Sequence, residues 1–217
     1  MPKRAIEDYL KTIYDLQREG GKVATTNLAR RLKVAPASVT GMVKKLSGMN
    51  LIAHEPYQGV RLTPAGTKIA LEVIRHHRLI ELFLAEALGV PWDKVHAEAE
   101  KWEHVLSEDM EDRIDKFLGY PTHDPHGAPI PPRNGKMPKT TTLLLSDIPS
   151  GAAVRICEVS DRDPDMLRYL GEMGLFPRTE LTILDVAPFE GPIKILVNGG
   201  EQSLGFKVAG SIWVETI

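Results

Sequence analysis

Residues 27–50 read NLARRLKVAPASVTGMVKKLSGMN, and this stretch decides how the rest of the chain is parsed. NLARRL is one short helical run, with Thr25 or Thr26 suited to cap it. After a short break, APASVTGMVKKLSGMN places Val39, Val43 and Leu46 at i, i+4 and i+7, the inward stripe of a second helix. Two short helices joined by a tight turn form a helix-turn-helix. Upstream, Ile6, Tyr9, Leu10, Ile13 and Leu16 recur at helical spacing, and that helix is expected to stop at REGGK, residues 18–22. Downstream, LIAHEPYQGVRLTPAG (residues 51–66) alternates apolar and polar residues around Gly59. That pattern suits a small hairpin, and TPAG opens the next helix. Helix, helix-turn-helix and hairpin in this order predict a winged helix over residues 1–73.

Charge is distributed unevenly around this head. The first 75 residues carry 13 Lys and Arg against 6 Asp and Glu, residues 76–125 carry 5 against 12, and the formal net charge of −2 conceals the contrast. A basic head is the electrostatic footprint of a nucleic-acid-binding module, although a solvated basic face looks the same in sequence. Hydrophobic residues make up 42% and charged residues 26%, an ordinary globular balance, and no apolar run is long enough to span a membrane. MPKRAIEDYL leads straight into a helix pattern rather than a signal segment, and the single Cys157 cannot form an internal disulfide. A cytoplasmic location is expected.

Past the head, TKIALEVIRHHRLIELFLAEALG reads as a long helix, and the next is expected to begin at Pro91 and run through VPWDKVHAEAEKWEHVLSEDMEDRIDKFLG. Residues 120–142, YPTHDPHGAPIPPRNGKMPKTTT, contain six prolines and form an extended strap. The remainder consists of short β-branched runs separated by Pro, Gly and Asp, with one helical stretch, PDMLRYLGEMGL. It predicts a separately folded small β-barrel over residues 143–217, and the whole is a multidomain α+β chain.

The block HAEAEKWEHV, residues 96–105, crowds three glutamates and two histidines into one amphipathic pattern, at a cost in like-charge repulsion. At about 100° per residue, Glu100, Glu103 and His104 share one helical face. His96 precedes them by one turn. On the long helix before, His77 and Glu81 stand at i,i+4 and can point at one ion. A solvated charged face remains open as a reading, and so does a hydrolytic metal centre, which would need an open coordination position beside a substrate cleft. The single cysteine excludes a thiolate zinc cage, and no HExxH spacing is present.

EDYLKTIYDL, the helix-turn-helix, RHHRLIELFL, VHAEAEKWEHVLS and DPHGAPIP together resemble the diphtheria-toxin-repressor family of metal-dependent transcriptional repressors. The tail is similar to that family's SH3-like domain, which is related to the FeoA domain. The resemblance implies a non-enzymatic homodimer that binds double-stranded operator DNA and controls metal-uptake or homeostasis genes, with residues 74–142 as the metal-binding and dimerisation domain. It implies two ions per subunit and no small-molecule substrate. A primary site would use Asp8, Glu100, Glu103 and His104, and an ancillary site His77, Glu81 and His96. From the tail it implies Asp163 and Met166, with Asp161 or Asp165 as substitutes. Iron-responsive members hold Met and Cys where this chain has Asp8 and Glu100, so the resemblance points to Mn²⁺ as co-repressor, with Fe²⁺ as the alternative. Oxygen donors suit a hard ion in the same direction. Lys11 stands where some manganese-responsive members place a further acid.

For DNA, Pro36 pre-sets the first turn of the recognition helix, and Ala37, Ser38, Thr40, Gly41, Lys44 and Lys45 are the positions left to face the duplex. Gly41 costs about 1 kcal/mol against Ala in a helix interior. Close approach to DNA or packing against a neighbouring helix would each account for it. Lys44, Lys45 and Arg61 on the wing are expected to contact phosphates.

Overall fold

The computed structural model describes residues 3–18, 20, 23–55, 59–135, 137 and 141–217. Glu19, Gly21 and Lys22 at the expected end of the first helix, residues 56–58 of the expected hairpin and Pro138 of the expected strap lie outside the described residues. The chain divides into two compact units, one of Met1–His77, Lys101–Glu108 and Pro131–Lys136, the other of Arg78–Glu100, Asp109–Ile130 and Met137–Ile217.

The first unit opens with α1 (Lys3–Arg18), α2 (Thr25–Leu32), α3 (Pro36–Gly48), β1 (Ile52–Glu55) and β2 (Gly59–Leu62), followed by the start of α4 (Pro64–Leu88). Leu10 and Ile13 of α1, Leu28 of α2, Val39 and Leu46 of α3 and Val60 of β2 are buried together in its core. The apolar stripes read from the sequence are therefore the packed faces. Strands β1 and β2 pair antiparallel, with Ile52 opposite Leu62 and Glu55 opposite Gly59. The helix-turn-helix begins one residue earlier than the sequence suggests: Ala24 is the N-cap of α2, and Thr25 and Thr26 lie inside the helix. Val23 is bridged to Val60, whose N–H donates to the Val23 carbonyl at 3.0 Å, and this pins the chain immediately before the helix. Gly59 sits at φ +87°, where a Cβ would come within 3.0 Å of the Val23 oxygen, so the wing needs glycine there. Pro64 opens α4, and the Thr63 hydroxyl accepts from Gly66 N–H at 3.2 Å as its cap.

The expected single helix after Pro91 is two helices, α5 (Val95–Trp102) and α6 (Glu108–Phe117). Residues 92–94 form a turn closed by Lys94 N–H to the Pro91 carbonyl at 2.8 Å, which delays the start of α5 to Val95. The β-rich part comprises β3 (Leu143–Leu144), β4 (Ala153–Val159), α7 (Pro164–Glu172), β5 (Glu180–Val186), β6 (Ile193–Val197), β7 (Gly200–Leu204), α8 (Phe206–Ala209) and β8 (Ile212–Thr216). Its antiparallel sheet has the order β3-β8-β4-β5-β6-β7. Val154, Ile156, Ile183, Ile195, Ile212 and Val214 from alternate strand positions pack on Leu167 and Leu170 of α7.

This β-rich part shares its compact unit with residues Asp109–Ile130, which include the first part of the strap. Val159 N–H donates to the His126 carbonyl at 2.9 Å, and Gly127, at φ +88°, lies so close that a Cβ would be 1.9 Å from the Cys157 oxygen. No helix among the described residues is long and apolar enough to cross a membrane.

Candidate metal centres

In the first unit, α1 presents Glu7, Asp8 and Lys11, while the turn that follows α5 presents Glu103 and His104. The helical-wheel reading of Glu103 and His104 does not hold, because α5 ends at Trp102. The Glu103 carbonyl is taken by the His76 ring at 3.1 Å instead of continuing the helical ladder. The turn nevertheless brings the expected side chains together: one ligand atom each of Asp8, Glu103 and His104 lies within 4.8 Å of the others.

The histidine is set for a cation. His104 Nδ1 is hydrogen-bonded to Glu7 Oε2 at 2.8 Å, and a carboxylate only accepts, so Nδ1 carries a proton and Nε2 is the nitrogen left to face an ion. That Nε2 lies 2.7 Å from Asp8 Oδ1 and 3.3 Å from Glu103 Oε1, yet among the described residues it has no hydrogen-bond partner. A buried imidazole nitrogen facing two carboxylates is a place where a positive ion satisfies all three groups. The donor set fits a divalent metal.

Glu103 is fully buried, and its acidity follows from its neighbours. Burial alone would raise its pKa, but the His77 hydrogen bond and the Lys11 charge outweigh this and hold it at about 2. Lys11 Nζ donates to Glu103 Oε2 at 2.8 Å and to Oε1 at 3.1 Å, and lies 3.2 Å from His77 Nδ1. His77 Nδ1 also contacts Glu103 Oε2. His77, expected at the ancillary site, thus stands beside Glu103 while remaining one helical turn before Glu81 on α4.

In the second unit, His96 Nδ1 lies 3.1 Å from Glu81 Oε1 and 3.2 Å from Asp161 Oδ2. The tail residue beside His96 is therefore Asp161 and not Asp163. Asp163 caps α7, its Oδ1 accepting from the backbone N–H groups of Asp165 and Met166 at 3.0 and 3.3 Å. Asp165 is turned toward Arg168. Burial acts to lower the His96 pKa, and the hydrogen bonds and charges of Asp161 and Glu81 override it, raising it to about 10. Glu100, expected at the primary site, has an oxygen 3.9 Å from His96 Nε2.

Two ligand candidates were not singled out in the sequence. Asp124 and His126, in the DPHG segment of the strap, join Glu81 in a fully buried cluster whose ligand atoms lie within 4.8 Å. His126 Nε2 donates to the Trp92 carbonyl at 2.8 Å, which leaves the Nδ1 lone pair 3.9 Å from Glu81 Oε2. Asp124 Oδ1 accepts from the N–H groups of His126 and Ala128 at 2.9 Å, and burial, reinforced by the charge of Glu81, raises its pKa well above the usual carboxylate range. The available signal was an Asp and a His two apart in a segment otherwise built of Pro, Gly and Ala. For Glu7 the signal was a carboxylate on the face shared by Leu10 at i+3 and Tyr14 at i+7.

The expected DNA-facing residues are each exposed. Pro36, Ala37, Ser38, Thr40, Gly41, Lys44 and Lys45 of α3 are exposed, as is Arg61 of β2, while Val39, Met42, Val43 and Leu46 are buried. A Cβ at Gly41 would meet nothing within 4 Å, so packing within the chain does not require glycine there.

Residues 2–60 match the iron dependent repressor N-terminal DNA binding domain, residues 63–132 the iron dependent repressor metal binding and dimerisation domain, and residues 143–216 the FeoA domain. The iron-dependent repressor IdeR of Mycobacterium leprae is 33% identical over 97% of this chain and 96% of that protein. The chain belongs to the diphtheria toxin repressor family. Among solved structures, one described as a manganese-dependent transcriptional repressor in complex with manganese has a TM-score of 0.93 and 37% identity, over 98% of this chain and all of that one. The manganese regulator SloR has a TM-score of 0.82 and 32% identity over the full length of both chains. As a member of this family, the chain is a metal-dependent DNA-binding transcriptional repressor and not an enzyme.

Proposed function

We propose that Mn²⁺ is the co-repressor and that the chain, as a cytoplasmic homodimer, represses genes of metal uptake or homeostasis. The observation that carries this reading is the orientation of His104, whose Nε2 faces Asp8 and Glu103 while Nδ1 is held by Glu7. With Glu100 as the fourth donor, the primary set contains carboxylate oxygen and imidazole nitrogen and no sulfur, the chemistry that suits a hard ion. Two solved relatives carry manganese in their descriptions. Fe²⁺ is the second reading, supported by the iron-dependent relatives found by sequence. An ancillary ion would be held by Glu81, His96 and Asp161, with His77 one turn before Glu81 and with Asp124 and His126 completing the cage. The division at residues 73 and 142 into DNA-binding head, metal-binding and dimerisation segment, and tail belongs to the same reading.

A bound divalent ion supplies the positive charge that lets Asp8, Glu100 and Glu103 share one site. Asp8 then ties α1, and with it the DNA-binding head, to the Glu103–His104 turn. The shift in population equals the difference in affinity between this arrangement and those in which α1 is released. In a dimer, two α3 helices set about one turn of duplex apart, or a multiple of it, read paired half-sites. The exposed Lys44, Lys45 and Arg61 supply phosphate contacts, so binding weakens as salt rises. The test is operator binding by metal-stripped protein, titrated separately with Mn²⁺, with Fe²⁺ under anaerobic conditions and with Zn²⁺, using a duplex selected from a random library. Mn²⁺ is expected to activate at the lowest free concentration. Equal DNA affinity in chelator and in Mn²⁺ would overturn the reading.

A further inference from the structure

The Glu103 carboxylate has a cation-binding environment on each of its two sides. On one, Oε1 faces His104 Nε2 at 3.3 Å, in the group completed by Asp8. On the other, Oε2 contacts His77 Nδ1 directly, and the Lys11 ammonium lies against both atoms, 2.8 Å from Oε2 and 3.2 Å from Nδ1. An ammonium has donors only. Lys11 Nζ, donating to both oxygens of Glu103 and lying beside His77 Nδ1, thus occupies the place that a cation shared by a carboxylate and an imidazole would take. Its side chain is only 14% exposed, so it is built into the cluster rather than lying across its mouth.

We propose that Lys11 is a tethered cation that takes the position of a second divalent ion at Glu103, so that the primary centre holds one ion. This rests on the assignment of Asp8, Glu103 and His104 as that centre. Two divalent ions sharing one carboxylate repel each other at close range, and a single charge in one position lessens this repulsion without leaving Glu103 uncompensated. A lysine side chain cannot dissociate. The cation requirement on the His77 side is therefore met permanently, and the switch answers to the single ion on the His104 side. A carboxylate at position 11 would reverse this, adding a hard donor beside Glu103 and His77 and opening the position to a second ion.

The test counts ions in the full-length protein. Metal-stripped wild type, Lys11→Glu and Lys11→Gln are dialysed against saturating Mn²⁺, bound metal is measured by plasma mass spectrometry, and Mn²⁺ spectra are recorded by electron paramagnetic resonance. Lys11→Glu is expected to hold one more ion per subunit than wild type, with the signature of an exchange-coupled pair that wild type lacks. Lys11→Gln, which matches the glutamate variant in size and carries no charge, should gain the same ion at higher Mn²⁺ and guards against misfolding of the glutamate variant. A coupled pair already present in wild type, or no added ion in either variant, overturns the proposal. Asp8→Ala serves as the separate control. If it does not remove one ion from wild type, the primary centre itself is wrongly assigned and the proposal falls with it.

Discussion

Glu7 Oε2 accepts a hydrogen bond from His104 Nδ1 at 2.8 Å, and this contact, rather than any metal ligand, decides which ring nitrogen faces Asp8. Glu7 is buried, with Lys3 3.2 Å away as its other charged neighbour. A buried carboxylate in this position fixes both the tautomer and the plane of the ring.

Glu7→Gln should therefore weaken Mn²⁺ binding at the primary centre by about 10- to 100-fold, the usual effect of losing a carboxylate behind a metal-binding histidine. Calorimetric titration of metal-stripped protein reads this directly. Unchanged affinity would mean that Glu7 does not orient the ring.

Asp8→Met replaces a hard oxygen by a thioether. Half-activating concentrations for operator binding should rise at least about tenfold for Mn²⁺, about 1.4 kcal/mol, and less for Fe²⁺ and later ions. An unaltered order of metals would remove Asp8 from the donor set.

His96 carries its pH dependence in the raised pKa of about 10. In the metal-free protein its ion pairs with Asp161 and Glu81 stabilise the fold fully below the ordinary value of about 6.5 and lose that contribution as pH rises through about 10. Metal requires the neutral ring, so between those limits each ion displaces a proton and affinity climbs by about tenfold per pH unit. Calorimetry at pH 7.5 in buffers of different ionisation enthalpy should report about one proton released at the ancillary centre. His96→Gln should abolish it. No proton release from wild type would exclude His96 as a ligand.

Gly41→Ala separates folding from DNA binding. The helix should gain about 0.5–1 kcal/mol, seen as a higher melting temperature, because the added methyl meets nothing within 4 Å. Operator affinity should fall if the open surface at Gly41 is where the duplex approaches. Undiminished affinity would show that DNA does not come close at this position.

Gly127→Ala should cost more than about 1–3 kcal/mol, since the residue is at φ +88° and its Cβ would lie 1.9 Å from the Cys157 oxygen. The same change should displace Asp124 and His126 and release the ancillary ion, while the ion at Asp8 and His104 is retained. Metal counting on the variant distinguishes this from general unfolding, in which both would be lost.

The winged helix, the long α4 and the small β-rich tail were legible in the sequence because each is written in local periodicity: Val39, Val43 and Leu46 in α3, and alternate Ile and Val in β4, β6 and β8. The residues that the structure clusters as ligand candidates were legible as well, since Glu103, His104, Glu81 and His96 stand in blocks too charged for an ordinary amphipathic helix. That Asp163 caps α7 was itself signalled in the sequence, by an Asp directly before a Pro at a helix start, where capping claims the carboxylate. Which nitrogen of His104 faces Asp8, why α5 stops at Trp102, and that Asp124 and His126 meet Glu81 are settled by partners far apart in the chain. His104 meets Glu7 across 97 positions, and Lys11 reaches Glu103 across 92. Periodicity reports which face of an element is buried. It does not report which buried polar group of another element comes opposite, and that pairing, enforced by the cost of leaving such a group unsatisfied, is what the tertiary structure alone decided.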